Sequence, residues 1–278
     1  MRSVAVNIAF AGRFYAPELK LSTTTPFPLG AKVLSFLSTW ALAFLPAFTL
    51  HQSAVFSQTP GKGEVEISRV ESWFKGKSLV EINAALTRLR PEAVSQSNKA
   101  LLMKDLPLVS AGNRIHDERQ IGLLRARLDR TLKLFERDQV MELIIFRNPQ
   151  PIVYTKPGVV LVISTEILKI AGNDDALVGV VAHELAHEYF AMDFLTALQS
   201  GNLPRMRELE LFCDAVAVVV LLDLGFDPAQ YAQVLRSIAN YSKAAEELNN
   251  GENSHPAVEA RLRVIADISA LFMSRSAR

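Results

Sequence analysis

A chain of 278 residues carrying 30 lysines and arginines against 29 aspartates and glutamates is close to neutral, which excludes the basic field of a nucleic-acid binder and points to no polyanionic partner. Its one cysteine, Cys213, excludes a disulfide within the chain, so stability must come from packing. The length suits a single hydrophobic core, and the expected division is an N-terminal segment over 1–57 followed by one compact domain over 58–278.

The apolar run Val33–Leu50 follows Lys32 and the scattered charges Arg2, Arg13 and Lys20. It reads as a targeting segment, either a signal h-region or a membrane anchor, with a buried core helix as the third reading. Val55 and Ser57 form a cleavage signal before Gln58. Positive charge ahead of the run favours an exported domain, in the periplasm or on the outer face of the cytoplasmic membrane. Membrane association through this segment is the corresponding partner expectation.

Ser78 and Glu81 form a capping box for a helix whose Leu79, Ile82, Leu86 and Leu89 share a face until Pro91 stops it, and a second helix follows. From Asp117 to Arg137, Ile121, Leu124, Leu128, Leu132 and Phe135 recur at helical spacing, with arginines and acids on the other face. Three extended stretches come next, Val140–Phe146, Ile152–Thr155 and Val159–Ile163. Prolines flanking the middle one put it or its partner at a sheet edge, and an open edge accepts an extended peptide. The remainder predicts helices from Asp174 to about Phe190, Pro204 to Leu224, Pro228 to Leu248 and Pro256 to about Phe272. Asn202, Asp227 and His255 stand at or near their N-caps, with Gly225 and Gly251 near helix ends. The expected fold is α+β, mainly helical, with a small β-sheet.

His183-Glu184-Leu185-Ala186-His187 lies inside one of these helices. Histidines four apart on a helix point the same way, so both imidazoles reach one metal ion, and the glutamate between them is placed to take a proton from water there. A catalytic zinc needs a third protein ligand. The metzincin positions for glycine and histidine hold Phe190 and Asp193, and the thermolysin-like spacing lands on Arg207. Asp193 stays a rival ligand. The better offer is Glu210, with Asp214 four residues on along the same face to hydrogen-bond a ligating imidazole, while Glu208 points elsewhere.

Several separate pieces resemble the HtpX-like and CAAX-prenyl-protease-like zinc metallopeptidases, a gluzincin family. They are the His183–His187 string, Glu210-Leu211-Phe212-Cys213-Asp214, Gly225-Phe226-Asp227-Pro228, Ser254-His255-Pro256 with Arg261, and the Pro157–Ser164 strand. The likeness covers about Asn148 to Leu262. It implies a zincin-like metallopeptidase domain with one Zn2+ per chain held by His183, His187 and Glu210. Glu184 and His255 would be its catalytic residues, with Asp214 behind the ligands. His255 would stabilise an oxyanion or occupy the open coordination position in a latent state; its alternative is a plain N-cap. The family's alanine before the aspartate is Cys213 here, its transmembrane hairpins are missing, and soluble or singly anchored envelope peptidases are the nearer likeness.

The expected activity is zinc-dependent endopeptidase cleavage of unfolded or misassembled polypeptides in envelope quality control. A zinc hydrolase acting on other bonds and a non-catalytic zinc-binding chaperone or assembly factor are the alternatives. Cys213 reads as a small buried hydrophobe. Arg261 has no acid three or four residues away on its own helix, and its plain reading is a solvated surface charge.

Overall fold

The computed structural model describes residues 61–91, 94–104, 106–246 and 255–276. The run Val33–Leu50, the signal at Ser57, and Gly251 lie outside them. Among the described residues no helix is long and apolar enough to cross a membrane.

Helix α1 (Gly61–Phe74), which the sequence reading leaves unassigned, buries Ile67, Val70 and Phe74. Helix α2 (Leu79–Thr87) starts on the expected capping box: Ser78 Oγ accepts the Glu81 N–H at 3.3 Å, and a Glu81 carboxylate oxygen accepts the Ser78 N–H at 2.7 Å. It ends at Thr87, so Leu89 falls off the buried face and is 47% exposed. Helix α3 (Gln96–Met103) follows, and α4 (Glu118–Leu134) is the expected amphipathic helix. Its Leu124, Leu128 and Leu132 are buried, each side chain contributing about 1.5–3 kcal/mol. Arg137, expected among the exposed charges, is 6% exposed.

Strands β1 (Glu142–Phe146), β2 (Val153–Lys156) and β3 (Val160–Ser164) form a mixed sheet in the order β1-β3-β2, with β1 parallel and β2 antiparallel to β3. The fold is thus α+β and mainly helical, with a small three-stranded sheet. The strands are near-continuous apolar runs because both faces are covered. Leu143, Ile145, Val153, Leu161 and Ile163 join the main helical core, while Ile144, Phe146, Tyr154, Val160 and Val162 form a second cluster with Leu102.

Strand β2 lies at the sheet edge, as its prolines imply, but the edge is not open. Residues Ile152 to Lys156 are all at most 6% exposed. Tyr154 donates to the Pro107 carbonyl at 2.7 Å and Lys156 to the Leu102 carbonyl at 2.7 Å, which ties one face of the strand to the 102–107 segment. The expectation of a freely accessible edge is corrected accordingly.

Ser164 closes β3 and caps α5 (Thr165–Ala171), a short helix without a sequence signature long enough to find. Asn173 then accepts the Ala176 N–H at 2.8 Å and opens α6 (Asp174–Ala186), whose first-turn acids suit the helix dipole. From Ala176 to Ala186 every residue of α6 is buried. The helix was expected to run to about Phe190. Instead the N–H groups of Glu188, Tyr189 and Phe190 bond the carbonyls of Leu185, Ala186 and His187, tightened i to i−3 turns that end it. A new helix, α7 (Ala191–Gln199), begins there.

Helix α8 (Leu203–Leu224) is capped by Asn202, which accepts the Arg205 N–H at 3.1 Å, and ends on Gly225 at φ +77°, a left-handed position that glycine takes without strain. Its Ala215-Val216-Ala217-Val218-Val219-Val220 run is rich in β-branched residues that favour strands in isolation. Burial on all sides overrides that preference, because α8 packs against α1, α6, α7 and α10. Helices α9 (Pro228–Glu246), preceded by Asp227 accepting the Ala229 N–H at 2.9 Å, and α10 (Val258–Ser276) complete the described chain. Helix α10 starts two residues later than the proline suggests, which leaves His255 three residues ahead of it rather than at its N-cap.

Candidate metal centre

The crossing of α6 on α8 builds the site. His183 and Glu184 sit in the last turn of α6, His187 caps its C-terminus, and their ring centroids lie 4.9 Å apart for the two histidines, nearly perpendicular. His183, Glu184 and His187 are 3%, 1% and 1% exposed. They offer potential ligand atoms all within 4.8 Å of one another, so this buried group could hold a metal ion.

Helix α8 brings a second carboxylate to the same point. Glu210 Oε2 stands 3.4 Å from His183 Nε2, and Glu210 Oε1 stands 3.7 Å from His187 Nε2. Ligand atoms around a tetrahedral zinc with bonds of about 2.0–2.1 Å are themselves about 3.4 Å apart. The donor set therefore fits a small divalent cation, and two carboxylates, Glu184 and Glu210, are candidates for the third ligand.

Electrostatics separate those two. Burial raises the Glu210 carboxyl, but His255, His187 and His183 outweigh it and hold it well below the usual carboxylate range. For Glu184, burial dominates and the neighbouring Glu210 charge adds to it against His183, pushing the carboxyl up to about 8. In the metal-free chain Glu210 is therefore the acid held ionised and Glu184 the one pushed towards its protonated form.

Behind the imidazoles lies a closed network. Asp214 Oδ1 is 2.8 Å from His183 Nδ1 and accepts from Tyr231 Oη at 2.6 Å. Arg261 donates to both oxygens of Asp214, Nε to Oδ2 at 2.7 Å and the terminal nitrogen to Oδ1 at 2.6 Å. Burial opposes ionisation of Asp214, and the Arg261 charge, its hydrogen bonds and His183 overcome it, holding the carboxyl at about 2. Burial also opposes charge on His183, yet Asp214 and Glu210 carry that imidazole up to about 9 in the metal-free chain. On the other side, Cys213 Sγ is 3.4 Å from His187 Nδ1, and burial pushes the thiol well up, so it stays neutral.

The remaining expectations divide. His255 reaches the site: its Nδ1 is 3.3 Å from Glu210 Oε2, without hydrogen-bond geometry, and its side chain is 31% exposed. Asp193 does not; it pairs with Arg205 at 2.5 Å and is 56% exposed, which removes it as a ligand. Glu208 pairs with Arg205 and Arg69, away from the histidines. Arg261 is 7% exposed and fixed to Asp214, so its reading as a solvated charge is corrected.

Sequence reasoning missed Tyr231, Glu188 and Gly179. Glu188, next to His187, accepts from Arg137 at 2.7 Å and from the Gly158 N–H at 2.8 Å, locking the end of α6 to the β2–β3 turn. Its one local signal is its place after the second histidine. A Cβ on Gly179 would lie 2.5 Å from Tyr231 Cβ, so a bare α-carbon is what lets α9 approach α6 closely enough to set Tyr231 on Asp214. Gly179→Ala should add about 1 kcal/mol of helix propensity. The clash is with atoms next to the Tyr231 backbone, though, which no rotamer change relieves, and overpacking of about 1–3 kcal/mol should win. A lower urea midpoint at unchanged slope is expected; a raised midpoint would show that the two helices part freely.

No protein-family model matches this chain. No curated protein matches it either.

Proposed function

We propose that the chain is a zinc-dependent endopeptidase of the HtpX-like and CAAX-prenyl-protease-like kind, with a zincin-like domain around the His183–His187 helix. The observation that carries this reading is the Glu210 carboxylate lying 3.4 Å and 3.7 Å from the two imidazoles, all three groups buried. His183, His187 and Glu210 would hold the metal. Zinc, when bound, supplies Lewis acidity, polarising a carbonyl and acidifying water to a pKa of about 7.

The chain's own residues do the rest. Glu184 accepts a proton at its carboxylate and returns it to the leaving amine, a task suited to an acid near neutral pH. Asp214, held by Arg261 and Tyr231, fixes the orientation of His183. His255, beside Glu210 and partly exposed, is placed to meet the polarised oxygen of a substrate from the solvent side. Just before β2, the Ile152 carbonyl accepts the Ser164 N–H, and alternation along the antiparallel pair turns the backbone groups of Val153 and Thr155 away from β3. An unfolded polypeptide would pair with them there. Because both residues are buried, access to that edge requires a conformational change.

The test is metal content with proteolysis. Purified full-length chain should carry about one zinc, cleave casein, lose the activity to a chelator and regain it when zinc is returned. Cleavage that survives complete metal removal, or a chain that binds no divalent metal at all, would overturn the assignment. The chaperone reading predicts bound metal with no cleavage under any of these conditions.

A further inference from the structure

We propose that Thr155 is a positioning residue for Glu184: its hydroxyl donates to the Glu184 carbonyl and so holds the last turn of α6 in register with strand β2. The inference rests on the reading of Glu184 as the base of a zinc peptidase and goes beyond it, to what fixes that base relative to the strand.

The need for a donor arises where α6 stops. In a continued α-helix the N–H of residue 188 would bond the carbonyl of residue 184. Here the Glu188 N–H bonds the Leu185 carbonyl at 3.1 Å, as the chain tightens towards Phe190. Glu184 is 1% exposed, so its carbonyl lies where water is excluded, and a buried carbonyl needs a donor. Thr155 Oγ1 supplies one at 3.3 Å, from another element of the fold.

Strand geometry suits Thr155 to this part. It stands on the same face of β2 as Val153, which joins the main helical core, and its side chain is buried against α6. A β-branched side chain is stiff at χ1, so the hydroxyl is preset. The backbone groups of Thr155 turn away from β3, towards the path proposed for an extended polypeptide. One residue thus meets the turn that carries the base through its side chain and the substrate path through its main chain. A second bond works beside it: Glu188 Oε1 accepts the Gly158 N–H at 2.8 Å, while Arg137 holds Oε2 at 2.7 Å. The two bonds bracket His187. Without the Thr155 hydroxyl, His183 keeps Asp214 and the segment after His187 keeps its anchor, so the loss falls on the base rather than on the metal.

The test uses the full-length chain as wild type, Thr155→Val, which keeps the shape without the donor, and Thr155→Ser, which keeps the donor. Zinc content should be the same in all three. With dye-labelled casein, Thr155→Val should lower kcat about 10-fold, within the range for a misplaced catalytic group, at little change in KM. Thr155→Ser should recover most of that loss, though not all, since it lacks the methyl group that stiffens χ1. Wild-type kcat in Thr155→Val, a loss in Thr155→Ser as large as in Thr155→Val, an effect on KM alone, or loss of zinc would each overturn the proposal. Hydrogen exchange in the metal-free chain keeps the two readings separate. Amides of 185–190 should exchange about 10-fold faster in Thr155→Val, as loss of one buried hydrogen bond allows, and near the wild-type rate in Thr155→Ser. If wild type neither binds zinc nor cleaves casein, the peptidase reading fails, and the exchange rates still decide whether Thr155 holds the end of α6; unchanged rates would sink that role. Should Thr155→Val fold poorly, Thr155→Ala against Thr155→Ser carries the same comparison.

Discussion

Glu184→Gln is expected to lower the rate of casein cleavage by about 100- to 10,000-fold, the usual contribution of a positioned general base, while the protein keeps its zinc. The amide matches the carboxylate in shape and cannot accept a proton to form a charged acid. The backbone carbonyl of residue 184, which accepts from Thr155 Oγ1 at 3.3 Å, is untouched, so the helix should not move. A second consequence concerns stability. Burial raises the Glu184 carboxyl from 4.5 to about 8, so between those values the folded chain binds a proton that the unfolded chain has released. Its contribution is complete below pH 4.5 and is lost as pH rises towards 8. Metal-free Glu184→Gln should therefore unfold at higher urea than wild type at pH 7–8, with the difference closing below pH 4.5. Cleavage at the wild-type rate would remove Glu184 from the mechanism, and a variant no more stable at pH 8 than wild type would show that the carboxyl is not held protonated.

Arg261→Met should destabilise the fold by about 3–5 kcal/mol, the range for leaving one member of a buried ion pair without its partner. Asp214 is 0% exposed, and Arg261, which meets both its oxygens, is the largest influence holding it ionised; without the guanidinium, only His183 and the Tyr231 hydroxyl remain to oppose its burial. The sign of the pH dependence follows from the depressed carboxyl. Wild-type stability from Asp214 is present above pH 3.8 and is lost as pH falls towards 2. Arg261→Met should lose that increment at neutral pH and flatten the acid limb of the stability curve. Lysine cannot supply the two-pronged contact and should recover only part of the loss. Adding Asp214→Asn to Arg261→Met should restore stability relative to Arg261→Met alone, because the uncompensated charge is then gone. Urea unfolding at pH 7 measures all three; a loss under about 1 kcal/mol for Arg261→Met would mean that water reaches Asp214.

Elements with local signatures were legible. The capping box at Ser78, the stripe along α4 and the Asn202 and Gly225 ends of α8 each need only residues within a turn or two of one another. The same holds for His183 with His187 and for Glu210 with Asp214, whose spacing places each pair on one helix face. Short elements escaped because α5 and α7 are too brief for a hydrophobic period to emerge, and α7 follows α6 without a proline or glycine to mark the break. The covering of β2 escaped as well, since its contacts come from residues such as Leu102 and Pro107, some fifty positions earlier.

What the chain determines locally is which residues of this protein share a helix face: the imidazole pair on α6 and the carboxylate pair on α8, through a repeat of about 3.6 residues per turn. Only tertiary structure decides which faces meet. Arg261 becomes the counter-charge of Asp214, Tyr231 its donor and Glu188 the clamp of α6 because helix crossings bring together residues separated by 47, 17 and 51 positions. Such pairings depend on close packing, on a bare α-carbon at Gly179 in one case, and packing leaves no periodic trace along the sequence.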